Sequence, residues 1–323
     1  MISRRAMLVG AGSALVGRAV VPAAAQSWST ETVRVIVSTA AGGAPDVVGR
    51  LVGEKLGTAL GKTFVIENST QGGGVVGNNL VSRSKPDGSM FAMLTGGFAP
   101  QAALRKSLPY DPVEGFTFIS TLCAYPMVLG VRADSEIKSF PDLLKRAKDA
   151  PGKLSYTITF PGTTHHLLGT WINMQAGTQM LPVPYRGAGP GFTDVLAGRV
   201  DVMVEPTTSA MPRIRAGQLR VLAVSSPSRY PLLPDAPAVA ETLPGIEAMT
   251  WLGLAGAPGT PPSIVEPLNA EIRRALDLPD VRKTLTELGT IAMPSTPLEF
   301  KQRVEREIAR WRDIIVKNNI DPV

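Results

Sequence analysis

The residues of this chain that could do chemistry are few. It has two histidines, adjacent at His165 and His166, and one cysteine, Cys123. Neighbouring side chains at a helix start point about 100° apart, so the two imidazoles chelate poorly compared with an i, i+4 pair. A lone cysteine excludes an intramolecular disulfide and any multi-cysteine metal site. Cys123 lies in the apolar stretch 118–131, where a buried, inert thiol is expected. Hydroxyl residues beside the histidines raise an exported hydrolase using Ser, His and Asp or Glu. No G-x-S-x-G elbow is present to seat its nucleophile, and the histidines lie at a helix start rather than after an acid in a loop. The residues therefore predict no catalytic set, no metal site and no cofactor.

Glycine-rich turns carry more information. Gly72-Gly73-Gly74-Val75-Val76-Gly77 matches G-x-G-x-x-G and precedes a helix. A dinucleotide fold wants that loop after its first strand and an acid about 20 residues on, at the end of the second. That point here is Thr95-Gly96-Gly97, and Asp87 belongs to a turn. More telling is that four strand-to-helix junctions, at 38–46, 69–77, 161–164 and 186–190, share small residues. Such junctions gather at the carboxyl edge of an α/β sheet, where exposed amides and helix dipoles favour an anion by roughly 0.3 to 1 kcal/mol per terminus. Several termini facing one cleft would bind carboxylates without lysine or arginine.

The elements that must hold these loops follow from the pattern. From residue 32, short β-branched runs alternate with amphipathic stretches, so the fold class is α/β. Strands are predicted at 32–37, 63–67 and 90–94, with helices at 46–60 and 75–84. A long apolar run spans about 119–131. Beyond it come a helix at 142–148, a strand at 155–159, a helix at 164–176, and then strands and helices alternating at 183–185, 190–197, 200–205, 210–216 and 220–225. The proline-rich segment 226–245 reads as a surface connection with few ladder hydrogen bonds. Helices are predicted at 263–276, 280–288 and 297–317, the last opened by Thr296, Pro297 and Glu299 as N-cap, N1 and N3 of a capping box. Domain 1 is thus expected to comprise 26–124 and 226–323, with domain 2 inserted at 125–225 and two crossing segments as a hinge.

Residues 1–25 read as a secretory signal peptide. Arg4 and Arg5 precede an apolar stretch at 6–16, and Ala23, Ala24 and Ala25 form a small-residue exit. The stretch is far shorter than the roughly 20 residues that cross a bilayer. The paired arginines suit twin-arginine export and also ordinary export. About 298 residues remain after the cut, enough for two domains. Removing Arg4, Arg5 and Arg18 lowers the formal charge from +6 to about +3, and no basic run persists, so nucleic acid is not an expected partner.

With these landmarks in order, the chain resembles the solute-binding receptors of tripartite tricarboxylate transporters, often called the Bug family. The resemblance covers nearly all of the mature chain. It is carried by Gly42-Gly43 with Asp46, Asn68 with Gly72 to Gly74 and Gly77, Leu108-Pro109-Tyr110-Asp111-Pro112, Gly162-Thr163 with His166, Pro184-Tyr185-Arg186-Gly187, and Gly198 with Asp201. Leu233-Pro234 with Pro237, and Trp251-Leu252-Gly253-Leu254 running to Ala257-Pro258-Gly259-Thr260-Pro261, complete the set. It implies a two-domain periplasmic-binding-protein fold of Venus-flytrap type, with mixed sheets. A monomeric periplasmic receptor would close on a small organic acid or amino acid and deliver it to membrane transporter subunits. It further implies a carboxylate held by Thr39, Gly43, Asp46, Gly73, Gly74, Thr95 and Gly96 from domain 1, and by Thr163, Thr164, Arg186 and Glu205 from domain 2. A sensor subunit for a membrane kinase is an alternative.

The chain departs from the family pattern at two places. The first loop usually carries a bulky residue and paired prolines but here reads Ser38-Thr39-Ala40-Ala41, implying a roomier or more polar floor. Glu205-Pro206 stands where family members often carry Asp and a polar residue. Glu205 could meet a ligand amine or hydroxyl, or cap its turn. Arg186 could pair with a distal carboxylate or bond neighbouring carbonyls. Asp46 could contact a ligand donor or cap its helix, His166 could donate to ligand or tie its loop, and Trp251 is expected in packing or at the hinge.

Overall fold

The computed structural model describes residues 28–159 and 162–321; the expected signal peptide, residues 1–25, lies outside them. The first half of the chain builds β1 (Thr32–Val37), α1 (Ala44–Leu60), β2 (Thr63–Asn68), α2 (Val75–Ser82), β3 (Met90–Thr95) and α3 (Phe98–Leu104). β4 (Thr117–Arg132) is followed by α4 (Phe140–Asp149), β5 (Ser155–Ile158), α5 (Thr164–Ala176), β6 (Leu181–Pro184), α6 (Ala188–Leu196), β7 (Met203–Pro206), α7 (Thr207–Arg215) and β8 (Leu219–Val224). β9 (Met249–Gly256), α8 (Pro262–Asp277), α9 (Pro279–Glu287), β10 (Ile291–Ala292) and α10 (Pro297–Lys317) complete it.

One strand joins the two halves. The sheet order is β10-β4-β9-β3-β1-β2, with β7 and β8 also pairing β4. Residues 117–126 of β4 pair antiparallel with β9, whereas 127–132 pair with β7 and β8. The switch falls at Pro126, and the facing residue of β7 at Met127 is Pro206. Proline has no N–H to place in a ladder, so neither residue demands a partner where the strand changes neighbours. The return crossing, from β8 to β9, is stitched to the first by Ser225. Its amide donates to Met127 O at 2.9 Å, its hydroxyl accepts from Met127 N at 2.8 Å, and the same hydroxyl donates to Ala248 O at 2.6 Å.

Register fixes which edges face each other. β1 runs parallel to β2 and to β3, so their carboxyl ends share an edge. β3 and β4 are each antiparallel to β9 and therefore run the same way, so β4 leaves the first lobe at that edge. In the second lobe β7 runs against β4, ending with Pro206 opposite Met127 at the entry point. β5 is parallel to β6, and Tyr156 bridges in parallel to Val202 just ahead of β7. The carboxyl edges of both lobes thus point at one another across the crossing, which is the arrangement of the two-domain periplasmic-binding-protein fold.

Alternation along β1 divides the first lobe's packing. Val33, Val35 and Val37 join Val48, Val52 and Leu56 of α1 and Leu268 and Ile272 of α8 on one face, while Ile36 faces the other, toward Phe98, Phe300 and Trp311. The latter core continues into the second lobe, and Trp171 of α5 meets Trp311 of α10 edge to face with centroids 6.3 Å apart. Cys123 is fully buried, and burial pushes its thiol up to about 12. The capping box forms: Thr296 Oγ1 accepts from Glu299 N at 3.2 Å and Thr296 N donates to Glu299 Oε2 at 2.7 Å.

Some elements differ from the sequence reading. α3 and β9, for which the pattern predicts no element, are regular, and β9 lies between β3 and β4. Segment 226–245 is less superficial than its prolines suggest. Tyr230, Ala238 and Val239 are buried, because Val224 N donates to Pro237 O and the Tyr230 hydroxyl to Gly289 O. α1 starts two residues before the expected Asp46, with Gly43 as N-cap.

Candidate functional site

The cleft between the two edges is walled by the loops after β1, β2 and β3 on one side and those after β5, β6 and β7 on the other. Glycine is required in the second loop. Gly72, Gly73 and Gly74 have φ of 62°, 67° and 96°, a left-handed run no other residue adopts readily. Gly74 is also pressed against the first loop, where an added Cβ would stand 2.6 Å from Ser38 Cβ. Gly77, the last glycine of the nucleotide-like pattern, packs on Ile36 and Ser69, so its role is helix-to-strand contact. Gly96 in the third loop lies against the β9 backbone, with an added Cβ 3.0 Å from Trp251 N.

In the first loop, Asp46 has its acceptors occupied. Arg50 donates to both carboxylate oxygens, at 3.2 and 2.9 Å, and Gly42 N donates at 3.0 Å. Arg50 and the Gly42 amide hold this carboxyl below the usual carboxylate range. Gly43 N turns back to Ala40 O at 3.3 Å, and Asn68 Nδ2 holds Thr39 O at 3.0 Å. With Pro45 lacking an N–H, this helix start presents fewer amides than its glycines suggest. Thr39 Oγ1, by contrast, is buried with no hydrogen-bond partner. Gly73 gives its carbonyl to Gln101 Nε2 at 2.9 Å, and Thr95 is half-buried at the end of β3.

The opposite wall carries a cluster of Glu205, His165 and Ser209, of which the sequence reading named only Glu205 as a site residue. Glu205 is buried at the end of β7 and accepts the Ser209 hydroxyl at 2.9 Å. His165 Nε2 stands 3.6 Å from Glu205 Oε2, beyond hydrogen-bond reach, and both imidazole nitrogens are buried without a partner. No spacing rule joins His165 to Glu205, forty residues apart in sequence. Thr164 begins α5 and Thr163 is its N-cap. His166 ties its own loop: Gly162 N donates to Nδ1 at 3.1 Å, and burial lowers the imidazole's pKa. Arg186 is exposed in the loop after β6, with no hydrogen bond or ion pair among the described residues. Trp251 is in the core, donating to Glu307 Oε2 at 2.8 Å and meeting Phe300 edge to face.

This geometry can receive a polar, compact solute between two walls. It does not make an acyl-transfer triad. There an imidazole lies between hydroxyl and acid and takes the hydroxyl proton. Here the acid is the middle member, and the Ser209 hydroxyl is spent on Glu205 and, at 3.1 Å, on Pro206 O.

Comparison with known proteins agrees with the fold. Residues 48–320 match the family model described as the tripartite tricarboxylate transporter family receptor. The chain is 34% identical to a UPF0065 protein in the tcbD-tcbE intergenic region of Pseudomonas sp. (strain P51), covering 99% of this chain and 96% of that protein. Among solved structures it is similar to R. palustris Rpa4515 with adipate, at 30% identity, a TM-score of 0.83, and coverage of 92% of this chain and 100% of that one. It is likewise similar to MatC from Rhodopseudomonas palustris with bound malate, at 31% identity, a TM-score of 0.77, and coverage of 88% and 98%.

Proposed function

The chain belongs to the tripartite tricarboxylate transporter receptor family, and from that premise we propose that it is an exported receptor that captures a small dicarboxylate-type organic acid or amino acid and hands it to the membrane subunits of such a transporter. Residues 1–25 direct export to the periplasm. The lobes are 26–124 with 226–323, and 125–225, and the protein acts as a monomer without catalysis. Adipate and malate in two similar structures favour a ligand with two carboxylates.

One observation carries this reading. Thr39 Oγ1 on one edge and both His165 nitrogens on the other are buried polar atoms without partners, and a buried polar group left unpaired costs about 1–3 kcal/mol. A ligand bridging the edges supplies the missing partners as the lobes close. Gly73, Gly74, Thr95, Gly96, Thr163 and Thr164 contribute loop amides and hydroxyls around a carboxylate, with Gly43 and Asp46 shaping the first loop. Arg186 pairs with the distal carboxylate as closure brings it inward. Glu205, beside His165, meets a ligand hydroxyl or amine.

Thermal unfolding with a panel of mono-, di- and tricarboxylates, aromatic acids and amino acids tests this. A true ligand at 100 times its dissociation constant should stabilise by about 2.7 kcal/mol and be recovered unchanged. A panel without a single hit, or turnover of the stabilising compound, would refute the proposal.

A further inference from the structure

A cavity of about 680 Å³ lies beside the return crossing, and none of the cleft loops lines it. One wall is the start of the β8-to-β9 segment, with Ser226 and Tyr230; the other is α10, with Arg303, Arg306 and Arg310. Those three arginines recur at i, i+3 and i+7 and so share a face of the helix. Pro227, Pro231, Met249, Ile291 and Met293 make much of the remaining surface apolar.

The charge of this cavity is unbalanced. Arg229, Arg303, Arg306 and Arg310 line it against two acids, Glu247 and Glu307. Arg229 is paired with Glu241 outside the cavity, and Arg310 reaches Glu247 at 3.3 Å. Glu307 is buried, takes the Trp251 indole N–H at 2.8 Å and stands 3.8 Å from Arg303. Burial raises its pKa, against the pull of the Trp251 hydrogen bond and the nearby arginines. Arg306 is exposed and makes no hydrogen bond or ion pair among the described residues. Two of the wall's polar atoms are buried without partners: Arg310 Nε, and the hydroxyl of Ser226, a residue only 4% exposed.

We infer that this cavity is a second ligand site, for a small organic anion whose apolar body rests on the prolines and methionines while its carboxylate meets Arg306, Arg310 and Ser226. Its volume falls within the range of small-molecule sites, and its composition, mostly apolar with a few convergent polar groups, is that of such sites. The site is independent of whatever fills the cleft.

Benzoate and inorganic sulfate, titrated calorimetrically into the full chain, provide the test. Arg306→Gln removes an exposed, unpaired charge and so preserves the fold, and Ser226→Ala removes a hydroxyl that bonds to nothing. The expected result is saturable benzoate binding that weakens about tenfold in Arg306→Gln, as for loss of one charge-assisted contact, weakens measurably in Ser226→Ala, and persists in Arg186→Ala. Absence of binding, binding abolished by Arg186→Ala but untouched by Arg306→Gln, or sulfate binding as tightly as benzoate would overturn the inference. So would tighter binding of an acidic peptide, which would make the cavity a groove for a protein segment.

Discussion

Ser225 and Ser226 are adjacent and both buried, at 0% and 4% exposure, yet their hydroxyls stand in opposite circumstances. Ser225 Oγ accepts from Met127 N and donates to Ala248 O, joining the two crossings. Ser225→Ala leaves a buried N–H and a buried carbonyl unpaired, at about 1–3 kcal/mol each, so the expected loss is about 2–6 kcal/mol. Only one oxygen is removed, so the cavity left behind adds little. Ser226→Ala deletes a hydroxyl with no hydrogen-bond partner and should change stability by no more than about 0.5 kcal/mol in either direction. Urea unfolding followed by circular dichroism measures both, and an unchanged slope with denaturant would assign the difference to the native state. Equal costs for the two variants, or a Ser225→Ala loss under about 0.5 kcal/mol, would refute the stitched-crossing account.

Three other outcomes follow from the same structure. His165→Ala should weaken the cleft ligand roughly tenfold by calorimetry while costing at most about 1 kcal/mol of stability, because neither nitrogen has a hydrogen-bond partner to lose and Glu205 stands 3.6 Å away; a larger loss of stability with intact affinity would make His165 structural. Burial raises the Glu307 pKa, and a carboxyl raised in the folded state imposes a cost that is absent below its unfolded value, about 4.3, and grows as pH rises through the folded one. Glu307→Gln, whose amide oxygen can still accept from Trp251, should therefore be relatively more stable at about pH 8 than at about pH 4, and denaturation midpoints showing no pH dependence of the difference would contradict this. Gly61→Ala, at φ 64° with open space around it, should cost about 1–2 kcal/mol, and Gly74→Ala clearly more, because its Cβ would collide with Ser38. Equal unfolding midpoints for the two would show that the first and second loops are not pressed together.

The elements most legible in the sequence were those whose signal is local. Thr296, Pro297 and Glu299 announced the start of α10 because a capping box is complete within four residues. The strands β1, β2 and β3 showed through their β-branched runs, and Cys123 through its apolar neighbours. β9 escaped because its run, Met249 to Gly256, is buried almost throughout and so lacks alternation, and its partners β3 and β4 lie more than a hundred residues away. α3 is short and carries Pro100, which conceals it. Within the candidate site, the glycine loops were visible as composition. Their left-handed turn at Gly72 to Gly74 and the occupied carboxylate of Asp46 were not, since each depends on what packs or bonds against the loop.

By itself, then, the sequence determined the α/β class, the order of most elements and the presence of four junctions rich in small residues, because propensity, capping and turn chemistry act over a few residues. Only the tertiary structure decided that the junctions face each other. That outcome depends on β4 running through both lobes and changing partners at Pro126, a matter of register between distant strands. The same long-range pairing brings His165 beside Glu205 and sets Arg306 and Arg310 around the cavity at the return crossing, juxtapositions that no local pattern encodes.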